Sequence, residues 1–116
     1  MRLHHVQLAI PAGSEAEHRA FWTLLGLRER PKPRALAARG GLWLVGGTAE
    51  IHLGVEEPHV PARKAHPALA VPNLDRVAER LDAAGHAPLW DDGIPGLRRF
   101  YVQDPSGNRI EILEAP

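Results

Sequence analysis

The chain has 116 residues with 14 basic and 14 acidic side chains, so its formal net charge is zero and no overall field draws it to nucleic acid or to an anionic membrane. It contains no cysteine, which excludes disulfides and thiolate metal sites. No segment is typical of a signal peptide or a membrane span, so we expect a cytoplasmic protein. The length predicts one domain over residues 1–116, and seven histidines are a first indication of metal chemistry.

The main feature of the sequence is a repeat. Residues 5–11 read HVQLAIP and residues 66–72 read HPALAVP, with His, Leu, Ala and Pro in the same places. Each copy alternates apolar and other residues, which predicts a β-strand, and each is followed by a helical pattern. The alternation places His5 and His66 on the same face of two related strands.

The first module, about residues 1–56, is predicted to run strand, helix and three further strands. The helix is expected to begin with a capping box formed by Ser14 and Glu17. Its apolar stripe comprises Ala20, Phe21, Leu24 and Leu25. We expect strands over residues 3–10, 42–45 and 50–55, the last two as a hairpin, and an edge strand or loop over residues 27–34.

Residues 57–65 are rich in proline and charge and are interpreted as a linker to the second module, residues 66–116. We expect a helix that Asn73 caps and Gly85 ends, with strands over residues 66–71, near 88–90, 98–103 and 108–113. Residues 104–107, Asp-Pro-Ser-Gly, suit a tight turn between the last two strands. The order is βαβββ twice, an α+β fold.

The repeat extends to the last strand of each module, where residues 51–53 read IHL and residues 110–112 read IEI. The aliphatic neighbours are expected to face the helices, so the central polar residue faces the other side. Four side chains then occupy equivalent positions: His5, His52, His66 and Glu111. Imidazole and carboxylate together suit Zn, Fe(II), Mn, Co or Ni, and such an ion can polarise a carbonyl or activate water.

Strand parity predicts that further side chains line a pocket beside these four: Gln7, Trp43, Arg99, Tyr101, Gln103 and Arg109. Their aromatic rings and guanidinium groups suit a planar or anionic small molecule. In the alternative interpretation Trp43 belongs to the core, and the arginines pair with Glu50 or Asp92. The other histidines are expected to lie outside the site, His4 on the face opposite His5, and His18, His59 and His86 at the surface.

Residues 99–111, RFYVQDPSGNRIE, resemble the closing hairpin of the glyoxalase/bleomycin resistance/dioxygenase group, the vicinal oxygen chelate superfamily. The resemblance covers essentially the whole chain. It implies two βαβββ modules in a curved mixed β-sheet, a cup with the helices on the outside. It also implies that His5, His66 and Glu111 bind a divalent metal ion. His52 stands where the glyoxalase branch usually has a Glu ligand, so it is a fourth ligand or, unligated, the catalytic base.

The resemblance implies a lyase or isomerase of the glyoxalase type, acting on a small substrate with vicinal oxygens through a metal-stabilised enolate or oxyanion. It further implies a homodimer in which two chains share each site, with neither nucleic acid nor membrane as a partner. The alternative is a metal-free protein that binds a drug or another small molecule, as bleomycin-resistance members do. A ring-cleaving dioxygenase, a thiol-transfer resistance enzyme and a regulatory dimer with a vestigial site are less favoured.

Overall fold

The computed structural model describes residues 1–115, which form two compact units, Met1–Pro61 and a second unit that begins at Ala62. The boundary falls inside the predicted linker, residues 57–65. None of the helices in these residues is long and apolar enough to cross a membrane.

Unit 1 contains four strands and two helices. They are β1 (Val6–Ile10), α1 (Glu15–Leu24), β2 (Arg28–Arg30), α2 (Arg34–Ala37), β3 (Leu42–Gly46) and β4 (Ala49–Val55). The strands form one open sheet in the order β1-β4-β3-β2, in which β1 and β4 are parallel and the other pairs are antiparallel. The predicted hairpin of β3 and β4 is confirmed, and α2 is a short helix that the sequence pattern did not predict.

Unit 2 repeats the arrangement. Its elements are β5 (Ala68–Val71), α3 (Leu74–Ala83), β6 (Leu89–Asp91), β7 (Arg99–Gln103) and β8 (Arg109–Glu114). The sheet order β5-β8-β7-β6, with β5 and β8 parallel, matches that of unit 1 strand for strand. The α+β class and the two βαβββ modules are therefore confirmed.

The helix-facing sides of the two last strands form part of the core. Ile51 and Leu53 of β4 are each 2% exposed, and Ile110 and Ile112 of β8 are fully buried. Because side chains alternate along a strand, burial of these neighbours turns the residues between them to the opposite face of each sheet. Those residues are His52 and Glu111, as the pattern predicted.

The buried face of α1 differs from the predicted stripe. The buried residues are His18, Phe21, Trp22 and Leu25, whereas Ala20 is exposed. His18, predicted at the surface, is fully buried, because its Nδ1 accepts a hydrogen bond from the Trp22 indole N–H at 3.2 Å and the pair packs as one unit. His59 and His86 are half-buried, so the surface prediction fits them only in part.

The predicted capping box is wrong. Ser14 does occupy the position before α1, but its hydroxyl donates to the carbonyl of Pro11 at 2.7 Å, and neither it nor Glu17 forms the reciprocal cap. Asn73 precedes α3 as predicted, again without a side-chain cap. At both helix starts, therefore, the side chain expected to cap accepts no hydrogen bond from the first N–H groups of the helix.

The turn between β7 and β8 is fixed by one carboxylate. Asp104 Oδ1 accepts from the backbone N–H of Ser106 at 2.9 Å and of Asn108 at 2.8 Å, and Oδ2 accepts from the Asn108 amide at 2.9 Å. Asp104 is 4% exposed. This buried network sets the register in which Gln103 faces Arg109 and Tyr101 faces Glu111.

Candidate functional site

In unit 1, five side chains form what we call the unit 1 cluster: His4, His5, Trp43, Glu50 and His52. The antiparallel register of β3 and β4 places Trp43 directly opposite His52. Glu50 lies two residues before His52 on β4 and therefore on the same face. His4 and His5 lie immediately before β1, which begins at Val6.

The rings of the unit 1 cluster are stacked. The His5 and His52 ring centroids lie 4.0 Å apart at 16°, and those of His52 and Trp43 lie 4.2 Å apart at 8°. The Arg30 guanidinium lies 5.1 Å from the centroid of the Trp43 ring. His52 is thus held between two rings and is 5% exposed. Parallel rings direct their in-plane lone pairs along separate planes, so this stacked pair does not converge on one metal ion.

Glu50 links the stack to a cation. Its Oε2 lies 2.7 Å from His52 Nε2, and Arg30 donates to both carboxylate oxygens at 3.1 and 3.3 Å. The hydrogen bond with His52 and the charge of Arg30 lower the pKa of Glu50. Burial lowers the pKa of His52, and this outweighs the hydrogen bond with Glu50, which acts in the other direction. His52 is therefore a neutral imidazole at neutral pH, with its Nε2–H donated to a carboxylate.

His4 does not point away from His5. The Nδ1 atoms of the two histidines lie 2.9 Å apart, and with a Glu50 oxygen they form a group whose potential ligand atoms all lie within 4.8 Å of one another. The prediction of opposite faces was wrong because strand alternation does not apply before Val6. Two imidazoles and a carboxylate are a chemically reasonable ligand set for a divalent ion.

In unit 2, the corresponding group, which we call the unit 2 cluster, comprises His66, Arg99, Tyr101, Arg109 and Glu111. Tyr101 lies directly opposite Glu111 in the β7–β8 register, as Trp43 lies opposite His52 in unit 1. The Tyr101 ring meets the His66 ring edge to face, with centroids 5.4 Å apart. The Glu111 residue is 7% exposed.

His66 and Glu111 bring together two atoms of the types that can bind a metal ion. His66 Nε2 lies 3.1 Å from Glu111 Oε1, and two cis ligands of an ion bound at about 2.1 Å are separated by about 3.0–3.4 Å. His66 Nδ1 lies 2.5 Å from the carbonyl oxygen of Lys64, which accepts but cannot donate, so Nδ1 carries the hydrogen. In the neutral imidazole Nε2 then presents a lone pair to a carboxylate. That arrangement requires a cation between the two atoms, either a proton or a metal ion.

The two arginines of the unit 2 cluster, Arg99 and Arg109, form different contacts. Arg99 donates to Asp91 at 3.1 Å, to the Tyr101 hydroxyl oxygen at 3.1 Å and to Glu111 at 3.4 Å. The alternative interpretation paired the arginines with Glu50 or Asp92. Arg99 does pair with a carboxylate, but with that of Asp91. Arg109 places its guanidinium carbon 3.9 Å from the Tyr101 ring centroid.

The remaining predicted pocket residues are less constrained. Gln7 is exposed, and its side chain packs against Gly54. A Cβ atom at position 54 would lie 2.7 Å from the Gln7 side-chain nitrogen, so Gln7 can pack this closely only against a glycine. Gln103 is exposed at the end of β7, opposite Arg109. Trp43 stacks on His52 and is half-buried, so it does not belong to the core.

An open groove of about 520 Å³ lies next to the unit 2 cluster, lined by residues of β6 and of the loop that follows, with Arg99 at one side. His66, Tyr101 and Glu111 do not line it. The groove is therefore separate from the atoms that can bind a metal. Two of its lining residues connect it to the unit 2 cluster, because Asp91 contacts Arg99 and Arg99 contacts Glu111.

Two site residues were missed by sequence reasoning for different reasons. Glu50 had a usable signal, since it precedes His52 by two positions on one strand. Asp91 had none, because its approach to Arg99 depends on the β6–β7 register, in which the two residues face each other.

A family model described as the glyoxalase/bleomycin resistance protein/dioxygenase superfamily matches residues 2–112. A glyoxalase family protein from Bacillus anthracis is 44% identical, with a TM-score of 0.93 over 100% of this chain and 96% of that one. A fosfomycin resistance protein from Listeria monocytogenes (16% identity, TM-score 0.80, 99% and 91% covered) and a bleomycin-binding protein in complex with bleomycin (13%, 0.74, 100% and 100%) share the fold. None of the curated proteins matches the chain.

Proposed function

Because the chain belongs to the glyoxalase/bleomycin resistance protein/dioxygenase superfamily, we propose that it is a divalent-metal-dependent enzyme of the glyoxalase type. The reaction is that of a lyase or isomerase on a small substrate with two vicinal oxygens. His5, His66 and Glu111 are the proposed ligands, and the ion is one of Zn, Ni, Co, Mn or Fe(II).

The observation that carries this proposal is the contact of His66 Nε2 with Glu111 Oε1 at 3.1 Å. The Lys64 carbonyl fixes the imidazole so that its Nε2 faces the carboxylate. A backbone carbonyl on the far nitrogen is the usual way in which proteins orient a metal-binding histidine. The spacing and the tautomer both fit a pair of adjacent ligands on one ion.

His52 is proposed as the proton-transfer base rather than as a fourth ligand. It is neutral, it lies between two rings, and Glu50 holds its Nε2–H. An imidazole oriented in this way can accept a proton at Nδ1 from a substrate carbon and return it to the neighbouring carbon, as an isomerisation requires. Glu50 stabilises the imidazolium in the interval, in the manner of a carboxylate–histidine pair.

The bound ion would polarise the substrate oxygens and stabilise the negative charge that develops on them. In a site shared by two copies of the chain, Trp43 and Gln7 of one copy and Tyr101 and Gln103 of the other would line the substrate pocket, with the rings as its apolar walls. Exclusion of water by the two rings strengthens the electrostatic interactions inside the pocket.

We propose that the protein acts as a homodimer with shared sites. The unit 2 cluster offers two ligand side chains, His66 and Glu111, whereas a catalytic metal ion is generally held by three. His5 supplies the third ligand from a second copy of the chain. A two-fold symmetric dimer then contains two identical sites.

The first test is the metal content of untagged protein, measured by elemental analysis after purification and after reconstitution. The wild type is expected to hold close to one divalent ion per chain, and Glu111→Ala to lose it. Glu79→Ala, an exposed acidic position on α3, is the matched control and keeps the ion. His52→Phe keeps a ring in the stack but has no ligand nitrogen, so retention of the ion in this variant supports the role of His52 as a base, and loss makes it a ligand.

His4→Ala distinguishes the two possible ligand groups that include His5. If the ion is held by His5, His66 and Glu111, this variant keeps it, whereas the group formed by His4, His5 and Glu50 loses it. Metal-loaded protein is then assayed with dicarbonyl adducts and vicinal diols. A wild type that takes up no metal would overturn the enzyme proposal and leave a metal-free small-molecule-binding protein.

A further inference from the structure

The two arginines of the unit 2 cluster differ in whether their charge is compensated. Arg99, with 14% of its side chain exposed, contacts two carboxylates, those of Asp91 and Glu111. It also donates to the Tyr101 hydroxyl oxygen. Its charge and most of its donors are therefore used within the protein.

Arg109 forms no ion pair or hydrogen bond with a carboxylate in the part of the chain that the structure describes, and its charge acts on Asp91 only at longer range. Its hydrogen bonding there consists of one long contact, 3.5 Å, to the backbone carbonyl of Arg63. The Tyr101 ring holds its guanidinium at 3.9 Å through a cation–π contact, which uses the ring face and none of the N–H donors. Arg109 is thus a positioned cation whose forked donors remain available.

Arg109 lies beside the atoms that are proposed to bind the metal. It is the first residue of β8 and precedes Glu111 by two positions, so the two side chains share a face. Tyr101, which holds Arg109, also contacts the ring of His66. A group bound by Arg109 is therefore next to the His66–Glu111 pair.

The equivalent position in unit 1 carries the opposite charge. Glu50 precedes His52 by two positions on β4, as Arg109 precedes Glu111 on β8. The charge of Glu50 is paired with Arg30, whereas Arg109 forms no contact with a carboxylate within residues 1–115, so the position in unit 2 is the one that attracts an anion. Arg63 and Lys64 add exposed positive charge to the segment whose carbonyls contact Arg109 and His66.

We propose that Arg109 is an anion-binding residue and that the substrate carries an oxyanion, a carboxylate or a phosphoryl group, close to its vicinal oxygens. A guanidinium binds such groups through paired N–H donors, and these charge-assisted bonds are stronger than neutral ones. The assignment of the anion to the substrate rests on the proposed function. The existence of an anion subsite at Arg109 does not depend on that function.

The test is a titration of full-length protein, freed of metal on a chelating resin, with inorganic phosphate and in a second arm with acetate. Sodium chloride holds the ionic strength constant. The chain contains a single tyrosine, so the NMR signals of the Tyr101 ring report the contact with Arg109 without ambiguity. We expect a saturable shift, with a dissociation constant at least about tenfold higher in Arg109→Gln. The arm with the tighter constant identifies the anion.

The matched control is Arg76→Gln on α3, an exposed arginine of the same unit, which is expected to bind as the wild type does. Arg109→Lys keeps the charge but not the forked donors, so it is expected to bind more tightly than Arg109→Gln and more weakly than the wild type. No saturable shift in either arm, unchanged binding in Arg109→Gln, or equally weak binding in the Lys and Gln variants would overturn the proposal. Because the protein is metal-free, this result is independent of whether a metal binds.

Discussion

The unit 1 and unit 2 clusters occupy the same positions of the same topology and carry different chemistry. In unit 1 the residue opposite the aromatic ring of β3 is His52, held in a stack of rings with one carboxylate, Glu50, at its edge. In unit 2 the residue opposite the ring of β7 is Glu111, between an imidazole and a guanidinium. The first arrangement suits proton transfer, and the second suits the binding of a cation and an anion.

The comparison separates what the backbone determines from what the side chains determine. Alternation along a strand and the register between strands bring a polar residue and a ring together in both units. The surroundings of that polar residue differ, because the residue two positions before it is Glu50 in one unit and Arg109 in the other. Equal topology therefore does not imply equal side-chain chemistry within one chain.

The largest expected effect on stability concerns the two hairpins that carry the clusters. Asp104→Ala removes the acceptor for two backbone N–H groups and for the Asn108 amide in a buried turn. We expect the free energy of unfolding to fall by about 2–4 kcal/mol, measured by urea denaturation. In the turn of the other hairpin, Thr48→Ala replaces an exposed side chain and is expected to cost about 0.5 kcal/mol or less. Equal costs would mean that Asp104 does not set the register.

A smaller effect is expected from the carboxylates around the two clusters. Glu50→Gln weakens the hold on both His52 and Arg30, so the stack that positions His5 loosens. Metal affinity, measured by competition with a chromogenic chelator, should fall about 10- to 100-fold, as for other residues that orient a ligand. The corresponding variant in unit 2 is Asp91→Asn. Because Arg99 keeps its contact with Glu111, this variant should change metal affinity less than about threefold. A loss in Asp91→Asn as large as that in Glu50→Gln would contradict the assigned roles.

The two clusters also differ in how they make stability depend on pH. Burial lowers the pKa of His52, so near pH 6 the unfolded chain binds more protons than the folded one, and stability falls as the pH falls from about 7.5 to about 5.5. In unit 2 the Gly93 N–H and Arg99 lower the pKa of Asp91, whose contribution is present above its ordinary pKa and is lost only in more acidic solution.

Urea denaturation of metal-free protein at several pH values checks this difference. His52→Gln should remove part of the loss between about pH 7.5 and 5.5, and Asp91→Asn should alter the profile only below about pH 4. A His52→Gln profile parallel to that of the wild type would show that His52 does not titrate abnormally.

Much of the fold could be predicted because the repeat and the alternation encode it directly. The strand carrying IHL and the strand carrying IEI present their aliphatic residues to the helices, and this alone places His52 and Glu111 correctly. The prediction of the buried face of α1 was wrong because a histidine is expected at the surface. The hydrogen bond that allows His18 to be buried, from the Trp22 indole, is not apparent from the sequence. A buried polar residue with a local partner leaves no apolar signal in the sequence.

The repeat predicted that His66 and Glu111 lie at equivalent positions of the fold, and the structure places His66 Nε2 3.1 Å from Glu111 Oε1. The assignment of these residues to a metal site stays a prediction. The ring stack, the position of His4 and the partner of Arg99 depend on side-chain conformations and on strand register, neither of which alternation determines. A cytoplasmic location, the dimer and the metal ion itself stay predictions.

The most direct test of the central claim, that the two unlike clusters complete one metal site across two copies of the chain, is a complementation experiment. His5→Ala and Glu111→Ala are each expected to bind no metal. When the two variants are unfolded and refolded together, about half of the dimers are mixed, and each mixed dimer contains one intact site of two. The account predicts recovery of about a quarter of the wild-type metal content, measured by elemental analysis. A mixture that binds no more metal than the separately refolded variants would contradict it.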